Sequence, residues 1–256
     1  MTSDEERPTH SSLFARHSFT FTHPASLLCL FLVLQLPLCG CSTRLVRGHV
    51  ERRIAHRLVD LIGPADRYQV RVRGTKDAEI VAGHLRRIDV DGWNVRAANQ
   101  IDLESIHIEL DDLRYHAGPE ETLSVGESHL EIRITEPALN SYLHRQHPEN
   151  LPEITLDRDR VTLKGTLRLL GVDTPLVTTG RLEVVDHTRV VLRAETVQFS
   201  ADPIPGIGPE YVEKHLNPLL NVTRLNLPLR LDEIEVQPGR LIVRGSVYLP
   251  PKTSSP

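Results

Sequence analysis

Residues 101–113 read IDLESIHIELDDL, and their apolar positions fall into two sets that alternate out of step. Ile101 and Leu103 alternate with polar neighbours; Ile106, Ile108 and Leu110 then do the same, one residue out of phase. A period of two belongs to a strand with one apolar and one polar face, whereas an amphipathic helix returns every three or four residues. The slip near Glu104-Ser105 is what a β-bulge leaves in a sequence. The run also exceeds the usual ~5–6 residues of a globular strand. A strand this long with a single apolar face must curl around whatever it covers.

The pattern recurs along the chain. YQVRV (68–72) alternates, as does SHLEIRIT (128–135) through Leu130, Ile132 and Ile134. DRVTLKGTLRLLG (159–171) places Val161, Leu163, Gly165, Leu167 and Leu169 on one face, RVVLRAETVQF (189–199) follows, and GRLIVRGSVYL (239–249) continues through Leu241, Val243, Gly245, Val247 and Leu249. Between them lie three helical segments. In RLVRGHVERRIAHRLVDLI (44–62), Val46, Val50, Ile54, Leu58 and Ile62 recur every four residues with Leu61 beside them, and Gly63-Pro64 stops the helix. Its other face carries Arg44, Arg47, Arg52, Arg53 and Arg57 against Glu51 and Asp60. Two uses of this helix are open: its apolar stripe packs on the sheet, or it lies on anionic headgroups. TEPALNSYLHRQ (135–146) begins with Thr135 as N-cap and has Glu136 and Pro137 in the first turn. IGPEYVEKHLNPLL (207–220) has Tyr211, Val212, His215, Leu216 and Leu219 as its expected inward face, with Pro218 ending or kinking it.

These elements predict an α+β fold: a single domain over residues 44–250 of long, curved antiparallel strands wrapped around amphipathic helices, elongated, with a loose tail at 251–256. The chain of 256 residues is long enough for a sizeable core, and aromatics supply only 4% of it. A net charge of −4 offers no basic field and argues against nucleic acid as a partner.

All three cysteines, Cys29, Cys39 and Cys41, lie in LLCLFLVLQLPLCGCSTRLVRG (27–48). Their absence thereafter excludes a disulfide framework or a thiolate metal site in the globular part. The apolar run 27–38 falls short of the ~20 residues that span a bilayer but suits the core of a secretory leader, with Arg16, His17 and His23 before it. Leu38-Cys39-Gly40-Cys41 resembles a bacterial lipobox, although Cys39 is unusual there and Asp4, Glu5 and Glu6 make the start acidic. The resemblance implies a signal peptide over 1–40, cleavage between Gly40 and Cys41, and a diacylglycerol thioether with an amide-linked, palmitate-type chain on Cys41, leaving 41–43 as anchor and linker. The alternatives are a plain cleaved signal or an uncleaved anchor. Ser42 after the cysteine points towards the outer membrane where two membranes exist. The expected address is the bacterial cell envelope, lipid-anchored and exported.

Motifs of chemistry are scarce. There is no P-loop, GxGxxG, HExxH or GxSxG. His144 and His147 sit three apart without a third ligand nearby, which reads as a surface pair. Asp111-Asp112 and Glu120-Glu121 are adjacent in sequence and point to opposite faces of a strand, so they make poor acid–base couples. The sequon at Asn221–Thr223 is uninformative behind a bacterial leader. The expectation is a non-enzyme with no cofactor and no metal; the alternative is a hydrolase whose site is assembled in space from distant residues.

The order of features resembles the LmeA-like family of bacterial phospholipid-binding proteins. It is carried by the opening helix, YQVRVRG, IDLESIHIELDDLRY, ITEPALNSYL before paired long strands, and above all ADPIPGIGPEYVEKHLNPLLNVTRLNLPLRLDEIEVQPGRLIVRGSV (201–247). Members often carry an apolar segment after the first strand, where this chain has Lys76 and Asp77. The resemblance implies a twisted β-structure around helices that encloses an apolar tunnel for acyl chains, phospholipid as partner, and no cofactor. No short motif transfers, so periodicity nominates the lining: Val161, Leu163, Leu167, Leu169, Val212, Leu216 and Leu219. Arginines of the first helix or the tunnel mouth would hold the headgroup phosphate. The same aliphatics can instead fill a solid core, in a structural or assembly lipoprotein that binds another envelope protein.

Overall fold

The computed structural model describes residues 44–97, 101–116, 122–149, 152–169, 172–199, 208–224 and 229–247. The leader, Gly40, Cys41, the linker, Glu120-Glu121 and the tail lie outside the described residues. Among the described residues four α-helices form: α1 (Arg44–Leu61), α2 (Asp77–Val81), α3 (Glu136–Gln146) and α4 (Pro209–Leu216). Strands β1 (Arg67–Arg73), β2 (His84–Arg96), β3 (Asp102–His116), β4 (Thr122–Ser124), β5 (Ser128–Thr135), β11 (Leu229–Gln237) and β12 (Arg240–Val247) form one antiparallel sheet. Its order is β1-β2-β3-β5-β12-β11, with β4 pairing β3. Strands β6 (Glu153–Asp157), β7 (Arg160–Leu169), β8 (Val172–Val185), β9 (Arg189–Phe199) and β10 (Leu220–Asn221) form the second, ordered β10-β9-β8-β7-β6. The expected α+β class, rich in long antiparallel strands and with a curled sheet, is what forms.

The apolar stripe of α1 packs into the core: Val50, Ile54, Leu58, Leu61 and Ile62 are buried beside β1. The helix stops where Gly63 takes φ +138°, and a Cβ there would lie 2.0 Å from the Arg96 carbonyl oxygen. Tyr68 donates its hydroxyl to the Gly63 carbonyl (2.9 Å), and burial pushes its pKa up to about 12. At α3, Thr135 is the N-cap as expected, accepting from the Ala138 amide.

The phase slip in β3 is real, but no residue is inserted there. Pairing with β2 keeps one register on both sides, Trp93↔Ser105 and Val95↔Leu103. The reversal belongs to both strands at once. Asn94, opposite Glu104, takes φ +49°, and burial moves from Ile88 and Val90 in β2 to Val95 and, just past the strand, Ala97. A second left-handed residue, Asp112 at φ +50°, marks the other end, where burial passes from Ile106 and Ile108 to Leu113 and Tyr115. Asn and Asp tolerate this conformation better than other non-glycine residues.

The sheet edges are sealed by side chains on helices, through one device used twice. In α3, Glu136 Oε2 accepts the Leu156 amide (2.7 Å), while the Asn140 side chain accepts from the Ile154 amide (2.7 Å) and donates to its carbonyl (2.8 Å). At α4, Glu213 Oε1 accepts the Ala194 amide (2.8 Å), while Asn217 accepts from the Leu192 amide (2.7 Å) and donates to its carbonyl (2.9 Å). Both are Glu-x-x-Leu-Asn, EPALN and EKHLN. Four helical residues rise about 6 Å and two strand residues about 6.7 Å, so the spacings match. On α1, Glu51 accepts the Val72 amide of the β1 edge (2.9 Å). The outer edge of β11 meets the hairpin tips of the second sheet, with the Asp159 amide on Val236 O (3.2 Å) and the Leu231 amide on His187 O (2.8 Å). An exposed edge is a template for unwanted pairing, and these hydrogen bonds remove it.

Candidate functional site

The second sheet carries a continuous apolar face. Cross-strand register aligns Ile154, Leu163, Thr178 and Val197 in one row, and Leu156, Val161, Gly180 and Ala194 in the next. A third row runs through Gly165, Leu176 and Phe199. Thr178 is fully buried, and its hydroxyl donates to the Thr196 carbonyl (2.7 Å), so it adds no unpaired polar group. Helix α4 lies along the open edge of β9, with Val212 and Leu216 turned inward.

Residue order along β9 depends on a bulge between β8 and β9 at Thr179/Gly180, where the partner sequence skips from Thr196 to Ala194. The extra residue, Glu195, brings Val197 and Phe199 onto the face that Leu192 occupies. Gly180 is required at this place, since a Cβ would lie 2.1 Å from the Arg193 carbonyl oxygen. Burial then falls along the strand: Val190 and Leu192 are enclosed, while Val197 and Phe199 are half-buried. At the same end Val172 is 65% exposed. The apolar face therefore opens towards the β7–β8 hairpin.

The nominated residues divide by position. Val161, Leu163, Val212, Leu216 and Leu219 join one hydrophobic cluster, none more than 3% exposed. The side chains of Leu167 and Leu169 lie outside the described residues. Helix α4 is shorter than 207–220: it ends at Leu216, because Asn217 before Pro218 adopts extended backbone. Leu219 is thus inward-facing from the following segment. His215 is exposed and stacks on Tyr211 at 4.1 Å between ring centroids, a correction to the inward face expected for it. Val197 and Phe199 were not nominated; their alternation is visible in RVVLRAETVQF, but only the bulge puts them in line with the others.

Charge is kept to the outside. Arg193 donates to Glu183 Oε2 (2.6 Å) and reaches Glu213 Oε2 (3.4 Å), and the Glu183 hydrogen bond foremost holds its pKa above the ordinary value. Arg181 and Arg160 pair with Glu195. His144 is exposed and His147 half-buried, and among the described residues no group of three or more His, Cys, Asp or Glu gathers to hold a metal. An apolar face flanked along β9 by an amphipathic helix can desolvate an alkyl chain.

The sequence matches that of the LmeA-like phospholipid-binding family over residues 42–246. The chain belongs to this family. No curated protein and no solved structure matches it. In this LmeA-like chain, the segment after the first strand carries Lys76 and Asp77 around the short helix α2, whose Ile80 is fully buried. The Glu79 carboxylate accepts the Lys76 amide (2.9 Å) and pairs with Arg86 (2.6 Å), so the charges cap and tie this turn in place.

Proposed function

We propose that this LmeA-like chain is a cell-envelope lipoprotein, acylated at Cys41, whose β-domain binds and transfers phospholipid through an acyl chain seated on the apolar face of the second sheet. The observation that carries the reading is the graded burial along β9: closed at Val190 and Leu192, open at Val197 and Phe199. Each methylene moved from water contributes ~0.8 kcal/mol, so an acyl chain of about fifteen gains on the order of 12 kcal/mol before the cost of immobilisation. No reactive group is needed. The chain enters at the half-buried end, and α4 rises from β9 to admit it, because the five enclosed nominees have no free surface in the closed form.

That tight enclosure also favours a second reading, a solid-core lipoprotein that binds another envelope protein. One experiment separates them. Protein purified without detergent is incubated with dioleoyl-phosphatidylglycerol vesicles, re-isolated and weighed by native mass spectrometry. A one-to-one lipid adduct is expected; a protein that stays empty overturns lipid binding and leaves the solid core. Metabolic labelling with a palmitate analogue, abolished by Cys41→Ser, tests the anchor.

A further inference from the structure

Helix α1 uses its apolar stripe entirely on the core, which leaves the question of what its outward face meets. That face carries His49, Arg52, His56 and Val59, all exposed, with Val59 43% accessible. Arg53 and Arg57 flank the stripe. The helix carries two acids, Glu51 and Asp60. Glu51 is taken up by the Val72 amide (2.9 Å), and Asp60 sits in the last turn, 3.6 Å from Arg57. On the neighbouring α2, Asp77 faces Arg47 (4.0 Å) and Glu79 is held by Arg86 (2.6 Å). The helix dipole gives no reason for arginines spread along the whole length, since only the last turn favours cations. Among the described residues no helix is long and apolar enough to cross a membrane.

We infer that the outward face of α1 is a docking surface for an anionic phospholipid bilayer, holding the domain against the membrane by its first helix. The occupant follows from charge and place. Arg52, Arg53 and Arg57 match phosphate headgroups, and the exposed Val59 adds an apolar contact at the headgroup level. Arg44 opens the helix three residues after Cys41. Extended, that distance is about 10 Å, so an acylated Cys41 would keep the face at the surface. The inference takes only this proximity from the anchor reading; attraction to the bilayer is a property of the face itself.

The test therefore omits the anchor. The full chain with Cys41→Ser is co-sedimented with phosphatidylcholine vesicles, with and without about 30% phosphatidylglycerol. Binding is expected on the anionic vesicles, weakening as salt is raised. The triple variant Arg52→Gln/Arg53→Gln/Arg57→Gln should bind them about a hundredfold more weakly, as each arginine near an anionic surface strengthens binding by about fivefold. The comparison variant Arg160→Gln/Arg181→Gln, on the outer face of the second sheet, should bind as the parent does. Circular dichroism melting of each variant shows that the fold is kept; if the triple variant melts early, Arg52→Gln alone is used, with about a fivefold loss expected. Equal binding to neutral and anionic vesicles, an unweakened α1 variant, or an equal loss in the comparison variant each overturns the inference. Lipid adducts in the triple variant, read by mass spectrometry, separate this outcome from a failure of lipid binding.

Discussion

Asn140 and Asn217 each replace a missing neighbouring strand with a single amide group. The amide presents a donor and an acceptor in the spacing of a peptide unit, which is why glutamate serves at the other position of each pair and asparagine at this one. Ile154 and Leu192, the residues clasped, are themselves fully buried, so their backbone groups have no easy recourse to water. Replacing Asn140 with alanine should destabilise the protein by about 2–4 kcal/mol, two unsatisfied groups at ~1–3 kcal/mol each with partial relaxation. Asn140→Asp keeps the acceptor for the Ile154 amide but turns a second acceptor oxygen on the Ile154 carbonyl, so a loss of similar size is expected at neutral pH. Urea denaturation at constant m-value measures both; an alanine variant within ~0.5 kcal/mol of the parent would show that water replaces the clasp. The repeat EPALN and EKHLN is plain in the sequence, yet its meaning is not. Spacing places Glu and Asn on one side of a helix, but only the tertiary fold reveals that a strand edge lies there.

At the scale of elements, alternation identifies the strands because a half-buried sheet imposes a period of two on its residues. The same signal misplaces the irregularity in β3. A one-residue slip records that burial changes face, and an inserted residue or a left-handed one produces the same string; Asn94 and Asp112 do it here without an insertion. A true bulge, at Glu195 opposite Gly180, is hidden because Glu195 and Thr196 separate two short apolar sets that each look regular. The polar face of the larger sheet makes its own prediction. His107 lies between Asp91 Oδ1 (2.7 Å) and Glu109 Oε1 (3.2 Å). Burial pulls its pKa down, but the hydrogen bonds and charges of the two carboxylates outweigh this, and the net shift is upward. A pKa raised in the folded state stabilises the fold below the unfolded value of ~6.5 and loses that contribution as pH rises through the folded value. The stability difference between the parent and His107→Gln should therefore be larger at about pH 5.5 than at about pH 9, measured by denaturant titration. A difference independent of pH would mean that the ring contributes by packing alone.

For the whole molecule, the alternating strands β1, β3, β5, β7, β9 and β12 and three of the helices are legible, and the family with them, because apolar periodicity and the placing of Gly and Pro survive there. Strands β2 and β8 are not, since burial in β2 changes face at Asn94 and the inward positions of β8 include Thr178 and Gly180. Which apolar residues touch ligand is not legible, since a core and a lining demand the same aliphatics. Position along the burial gradient is what distinguishes them. Leu163 is enclosed on every side, so Leu163→Ala should cost about 2–5 kcal/mol through weaker packing and a cavity, whatever the protein binds. Phe199 is half-buried at the open end, where a carboxylate can still reach water. Phe199→Glu should then cost about 1–2 kcal/mol of stability yet lower the lipid adduct in native mass spectra several-fold, because a charge at the threshold must be desolvated by each arriving acyl chain. Normalising adduct to folded protein removes the stability effect. If Phe199→Glu carries as much lipid as the parent, the acyl chain does not pass Val197 and Phe199, and the opening must be sought elsewhere on the molecule. If the loss tracks stability equally in Leu163→Ala and Phe199→Glu, the face is core throughout and the solid-core reading gains.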